Sequence, residues 1–223
     1  ISEGKGGGIY NFGDCTLNVI NSTVSNNISN YSSLGGGGGG IGNNGTLTVT
    51  NSTITGNTKN NGNNNAGGIW TGGNGSANAI ITNSTITNNT VAGTNRAGGL
   101  YQAFSGAATV RNSIIAGNAG SATVPDVGGD IATTSGGYNL IGNVGTDTGF
   151  NQTGDQTGTA AAPLNPLLAS LGNYGGTTST IPLLPGSPAI NAGTATGAPS
   201  TDQRGIARVG NVDIGAFESR GFT

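Results

Sequence analysis

Apolar and polar residues alternate along this chain in short runs, and the runs recur at a regular interval. The clearest is Thr46-Leu47-Thr48-Val49-Thr50, where an extended backbone puts Leu47 and Val49 on one side and the threonines on the other. Leu17 and Val19, Ala79 and Ile81, and Ala108 and Val110 fill the same two slots. A later slot holds Val24, Ile54, Ile86 and Ile115. Nothing repeats at helical spacing, so strands are predicted here.

Each run belongs to a block that opens on Gly-Gly-aliphatic and closes on Asn: residues 8–27, 40–57, 68–89 and 99–118. The second opening Gly stands at 8, 40, 68 and 99, in steps of 32, 28 and 31 residues. A period of that length predicts a stacked solenoid. Aliphatic columns would line its interior. Asn21, Asn51, Asn83 and Asn112 make one polar column, and Asn27, Asn57, Asn89 and Asn118 another. An amide can donate to its copy in one neighbouring coil and accept from the other, so both columns are expected to be structural ladders. The fold class is therefore all-β, a right-handed parallel β-helix of about five coils, with the hand taken from the rule for parallel crossovers. In the fifth, degenerate block, Gly128-Gly129 replaces the opening pair.

The pattern stops after Asn143. Residues 1–143 read as repeats and 144–162, rich in Gly, Thr and Ala, as a connector. Six of the seven prolines lie beyond that, and none can donate to a ladder, so 163–223 is expected to be an irregular β-rich cap over the last coil. Glycine makes up 45 of 223 residues. Without a collagen period that level suggests disorder, but the aliphatic slots override it, and the glycines read as turn residues with positive φ. With no leader-like segment at Ile1, the chain is expected to be a processed or trimmed piece of something longer.

The tail carries Asn165-Pro166-Leu167-Leu168, Leu183-Leu184-Pro185-Gly186-Ser187-Pro188-Ala189-Ile190-Asn191-Ala192-Gly193, Thr201-Asp202-Gln203-Arg204-Gly205 and Asp213-Ile214-Gly215-Ala216-Phe217-Glu218. With the Gly-Gly-Ile-Tyr-Asn and Asn-Ser-Thr-Ile repeats, this resembles bacterial secreted right-handed β-helix proteins with a choice-of-anchor carboxy-terminal domain. Those are akin to polymorphic outer-membrane adhesin repeats. The resemblance implies export to a bacterial cell surface and no particular reaction. Asn191 stands where the family more often has Asp.

Charged residues are 7% of the chain, the net charge is −2 and there is no His. Scattered basic residues argue against nucleic acid as partner, and no apolar run is long enough to span a bilayer. In the coils the acids are Asp14, Asp126 and Asp130, with no pair in matching slots of adjacent coils, so no catalytic residues and no cofactor are expected. Asp126 and Asp130 are a weak calcium candidate. Asp202, Arg204 and Asp213 are expected to pin the cap. Tyr10, Trp70 and Tyr101 share an outward slot and could stack on sugars, although mutual packing is the plainer reading. Thr23, Thr53 and Thr85, with Ser25, Thr55 and Thr87, could form outward hydroxyl columns of the kind that order ice. Cys15 reads as a tolerated turn residue in the slot of Gly45. Segments 28–38, 58–65, 90–96 and 119–126 all leave from one side, as a variable face would. The Asn-X-Ser/Thr triplets read as by-products of the repeat rather than glycan sites.

The expected function is a non-catalytic extracellular structural or adhesive surface protein, with self-association, surface proteins or polysaccharide as partners. The alternatives are a subunit of a homopolymeric filament assembled by strand-edge or tail exchange, and a polysaccharide-binding or lyase/epimerase-like β-helix.

Overall fold

The computed structural model describes residues 4–32, 36–61, 65–73, 77–93, 96–120 and 126–220. They form an all-β solenoid of about four turns in which every sheet is parallel. That is slightly fewer turns than the five coils expected. Each coil contributes strands to successive sheets. The first sheet joins Ile9–Asn11, Ile41–Asn43, Ile69–Thr71, Leu100–Gln102 and Val127–Gly129. The second joins Thr16–Ile20, Thr46–Thr50, Asn78–Thr82, Ala107–Arg111 and Thr134–Ser135. The third begins Thr23–Ser25, Thr53–Thr55, Thr85–Thr87, Ile114–Ile115 and ends on Leu140–Ile141 and Gln156–Thr157. Two short sheets complete the coil: Ile28–Ser29, Thr58–Lys59 and Thr90–Val91, then Gly37–Gly38 with Asn65–Ala66.

Like residues lie over like residues. Ile9, Ile41, Ile69 and Leu100 are in register, as are Val19, Val49, Ile81 and Val110, and Val24, Ile54, Ile86, Ile115 and Ile141. These columns make one continuous core. In the fifth rung the register departs from the sequence reading. Val127 pairs with Leu100 and Gly129 with Gln102, so Gly128-Gly129 is not the opening pair. Asp126 stands in the slot of Gly99, its carbonyl accepting the Gly99 and Leu100 N–H groups. Ile131 is left exposed.

The opening glycines also differ from expectation. None of Gly7, Gly8, Gly39, Gly40, Gly67, Gly68, Gly98 and Gly99 has positive φ. They answer a close approach: a Cβ on Gly39 would lie 2.4 Å from Gly67 O and 2.7 Å from Thr58 C, and one on Gly67 2.6 Å from Thr90 N. Two backbones of one coil touch there, with no room for a side chain.

The carboxy-terminal part is not a lid over the last coil. Residues 144–162 close that end. Gln156–Thr157 pairs with Leu140–Ile141, Phe150 enters the core, and Val144 N donates to Gly158 O. The remainder runs back along the outer face of the third sheet. Leu164, Leu168, Leu183, Ala189 and Ile214 pack on Ile114, Ala116 and Leu140. Thr180 reaches Thr53, Gln203 reaches Thr53 and Thr23, and Thr178 donates to Asn21 O at 3.0 Å. It is a lateral strap across the coils. The proline-rich composition fits that position, since a segment lying on an outer face need not pair continuously as a strand.

Gly39→Ala is expected to lower the melting temperature by the equivalent of about 1–3 kcal/mol or more, because backbone must move. Gly13→Ala meets nothing within 4 Å, and should change stability by less than about 0.5 kcal/mol. Parallel thermal melts of the two variants check both.

Candidate functional site

The closing Asn column forms a ladder with a direction. Asn27 Nδ2 donates to Asn57 Oδ1, Asn57 to Asn89 and Asn89 to Asn118, each at 2.9 Å. The backbone N–H of each donor residue joins the same acceptor. A one-way chain of amides leaves its last donors unpaired, and an acceptor-only group meets that need. Asp126 supplies it: Asn118 N and Nδ2 both donate to Oδ1 at 2.8 Å, and Asn143 N to Oδ2 at 2.8 Å. Burial outweighs these three N–H groups and pushes the Asp126 carboxyl up to about 6.

Asn21, Asn51, Asn83 and Asn112 behave differently. All four have left-handed backbone, with φ of 47°, 46°, 45° and 46°, a conformation Asn tolerates better than most residues. They turn the corner rather than form a ladder. Among the described residues their only mutual side-chain bond is Asn112 Nδ2 to Asn83 Oδ1, at 3.4 Å. The ladder belongs to the next residue. Ser22 N donates to Ser52 Oγ (3.1 Å), Ser52 N to Ser84 Oγ (3.2 Å), Ser84 N to Ser113 Oγ (3.1 Å) and Ser113 N to Asn139 Oδ1 (3.1 Å). Asn139 N and Nδ2 then donate to Asp155 Oδ1, both at 3.0 Å. A third run links Asn11 Nδ2 to Asn43 Oδ1 (2.8 Å) and Asn43 Nδ2 to Thr71 Oγ1 (3.0 Å). It resumes at Gln102 Nε2 to Thr133 Oγ1 (2.8 Å) and ends on Asp147, whose Oδ2 accepts from Thr133 Oγ1 at 2.6 Å. Three ladders end on three aspartates.

The strap is held by buried ions. Asp202 Oδ2 accepts from Arg204 Nε (2.9 Å) and Nη2 (2.6 Å) and from Glu218 N (3.0 Å), while the guanidinium lies 3.6 Å from the Phe217 ring centroid. Asp213 Oδ1 accepts from Asn191 N at 2.7 Å. Asp202, Arg204 and Asp213, expected to pin a cap, lie in this network on the strap, and Arg208 and Glu218, which sequence reasoning passed over, extend it. Their ion pair is 3.1 Å long, with both side chains almost fully buried. Arg208 also donates to Gly215 O (2.8 Å) and to Asn51 Oδ1 (3.2 Å) on the solenoid. Burial lowers the Arg208 pKa and raises that of Glu218. Two further corner asparagine bonds dock the strap: Asn51 Nδ2 to Thr201 O and Asn112 Nδ2 to Thr194 O, both 2.7 Å.

The aromatic slot is not a sugar-stacking strip. Tyr10, Trp70 and Tyr101 are in register, but Trp70 is fully buried and Tyr101 nearly so, packed with Ala66, Ala97 and Ala103. The slot does face outward from the first sheet, and the short strands just before it cover that face. The hydroxyl columns meet the same fate, since Thr53, Thr55, Thr85 and Thr87 are buried. Gln203 Oε1 accepts from Thr53 at 2.6 Å, and Ala216 N donates to Thr85 at 3.1 Å. An outward direction within a coil did not mean exposure.

Asp126 and Asp130 make separate sets of contacts. Asp130 Oδ2 accepts from Phe104 N at 2.7 Å and bonds the Tyr101 hydroxyl, whose pKa burial and the Asp130 charge push up to about 12. Among the described residues no group of three or more His, Cys, Asp or Glu could hold a metal ion together. Cys15 is exposed at the turn beside Gly45. Residues 33–35, 62–64, 94–95 and 121–125 of the four expected loops lie outside the described residues. A cavity of about 430 Å³ opens between Gly117, Ala119, Gly142, Leu164 and Pro166, with Asp126 in its wall. A groove of about 380 Å³ runs over Tyr174, Leu184, Pro185, Arg204 and Phe217 on the strap. Among the described residues no helix is long and apolar enough to cross a membrane. No family model, curated protein or solved structure matches the chain.

Asp126 titrates higher when folded than its ordinary 3.8. The folded state therefore holds the extra proton, and stability falls as pH rises from about 4 to about 6, by about 3 kcal/mol for a shift of roughly two units. Asp126→Asn should remove that fall from thermal melts run across this pH window. Arg208→Leu leaves Glu218 buried and unpaired, which costs about 3–5 kcal/mol. Limited proteolysis should then cut within 178–203 before the coils open.

Proposed function

We propose that the protein is a non-catalytic structural or adhesive module of a bacterial cell surface. In this reading it is a stiff solenoid that carries its inter-coil loops on one side. The observation that best supports it is where the acids go. Asp126, Asp130, Asp147, Asp155, Asp202, Asp213 and Glu218 each accept hydrogen bonds that close a ladder, hold a turn or fasten the strap. Those carboxylates serve the scaffold, and a general acid or base needs a carboxylate free to meet a substrate. The tail and repeat motifs that resemble secreted choice-of-anchor proteins add the surface location.

Polysaccharide binding keeps one observation in its favour. Tyr174 is 41% exposed beside the strap groove, with Phe217 edge-on at 6.4 Å and the Arg204 guanidinium close by. An aromatic face next to a fixed donor suits a sugar ring. The filament alternative loses support as simple coil-on-coil stacking, because a carboxylate-closed end offers no ladder donors to the start of another copy.

Beads coated with the protein should attach to cell-surface polysaccharide or protein films, and trimming the segments 30–36 and 60–64, outside the strands, should reduce attachment several-fold. Incubation with a panel of uronans should give no reducing ends and no unsaturated product. Turnover above a heat-denatured control would overturn the reading. Loss of attachment in Tyr174→Ala with the loops intact would favour the sugar groove.

A further inference from the structure

The ladders have a polarity, and it decides what can seat on the first coil. In all three, a residue of one coil donates to its counterpart in the next coil along the chain, and the run ends on Asp126, Asp147 or Asp155. The start of each ladder therefore presents acceptors. Among the described residues, Asn27 Oδ1 and Asn11 Oδ1 receive no donor, although both residues donate onward. Ser22 Oγ donates to Ile20 O and keeps its lone pairs open, where Ser52 Oγ accepts from Ser22 N.

The backbone tells the same story. Ile9–Asn11, Thr16–Ile20, Thr23–Ser25 and Ile28–Ser29 are the terminal strands of their sheets, so among the described residues one side of each is unpaired. Ile9 and Leu17 remain partly exposed where Ile41 and Leu47, one coil further on, are fully buried. At the other end Phe150 and Gln156–Thr157 cover the aliphatic core and three aspartates end the ladders, although Val127–Gly129, Thr134–Ser135 and Gln156–Thr157 are terminal strands in their turn.

We infer that the first coil is an interface for a further coil of the same repeat, one whose Asn and Ser ladders end in open donors. The C-terminal end of a second copy does not fit. Its ladder donors are already taken by carboxylates, and bringing it up would set ladder acceptor against ladder acceptor. A coil ending in an amide supplies what the surface lacks: Nδ2 to Asn27 Oδ1, a second amide to Asn11 Oδ1, an N–H to Ser22 Oγ and an aliphatic layer over Ile9 and Leu17. The inference goes beyond the adhesive reading and stands whether or not that reading holds.

A copy of residues 38–65 fused directly before Gly6 tests it. Gly6 bridges Gly38, and Gly38 pairs with Ala66, so the added coil arrives in register. Amide exchange of Ile9–Asn11 and Thr16–Ile20 should slow by about tenfold or more, and the melting temperature should rise. A second fusion carries Asn57→Asp within the copy, which points a carboxylate at Asn27 Oδ1 and should lose most of the gain. Equal protection by the two fusions would overturn the ladder polarity, and protection by neither would overturn the interface. The unextended chain should sediment as a monomer at all concentrations, and end-to-end growth would also overturn the inference.

Discussion

Buried amides at the corners of a narrow coil must find partners in neighbouring coils, because water is excluded where they sit. In this protein the answer is rows of like side chains whose oxygens each accept from the coil before, while Asn57, Asn89 and Asn118 also give an amide hydrogen back to a carbonyl of that coil. The arrangement satisfies any number of coils but cannot satisfy the last one, whose donors have no coil to meet. Asp126, Asp147 and Asp155 resolve that end with oxygens that only accept. Much else follows from this. The fifth rung shifts register so that Asp126 can occupy the place of a glycine, and 144–162 folds onto the end to bring in the other two acids.

The second constraint is lateral. The third sheet turns threonines and corner asparagines outward, and a bare row of such groups would be solvated and unremarkable. The strap covers them, and so a regular surface becomes an interior. Thr53 and Thr85 exchange water for Gln203 and the Ala216 N–H, while Asn51 and Asn112 grip the strap backbone. The strap has little regular pairing of its own and relies on Asp202, Arg204, Arg208 and Glu218. Ions buried in this way are strongly destabilising to break one at a time, which makes the strap an all-or-none attachment.

These two uses of charge bear directly on function. A chain with few ionisable groups has placed most of its described acids in its own scaffold. What remains for interaction is surface shape: the looped side of the coils, the groove beside Tyr174 and the first-coil edge. In the proposed reading, each serves a macromolecular or polysaccharide contact.

The sequence by itself determined the solenoid. A 28–32-residue period, alternating aliphatics and a repeated Asn are local, and each repeat independently reports the same slot, so Ile41, Ile69 and Leu100 fall in register as their spacing requires. The Asn27 ladder was legible for the same reason. Only the tertiary structure decided what covers the outer faces. Alternation tells a side chain which way to point relative to its own strand, but not whether a segment more than a hundred residues away will lie on top of it. Thus Thr53 and Thr85, outward in sequence, are interior under the strap, while Trp70 and Tyr101 are covered by nearer chain at Ala66 and Ala97. The roles of the terminal aspartates were hidden too, because a ladder's open end is a property of the stack and belongs to no single repeat.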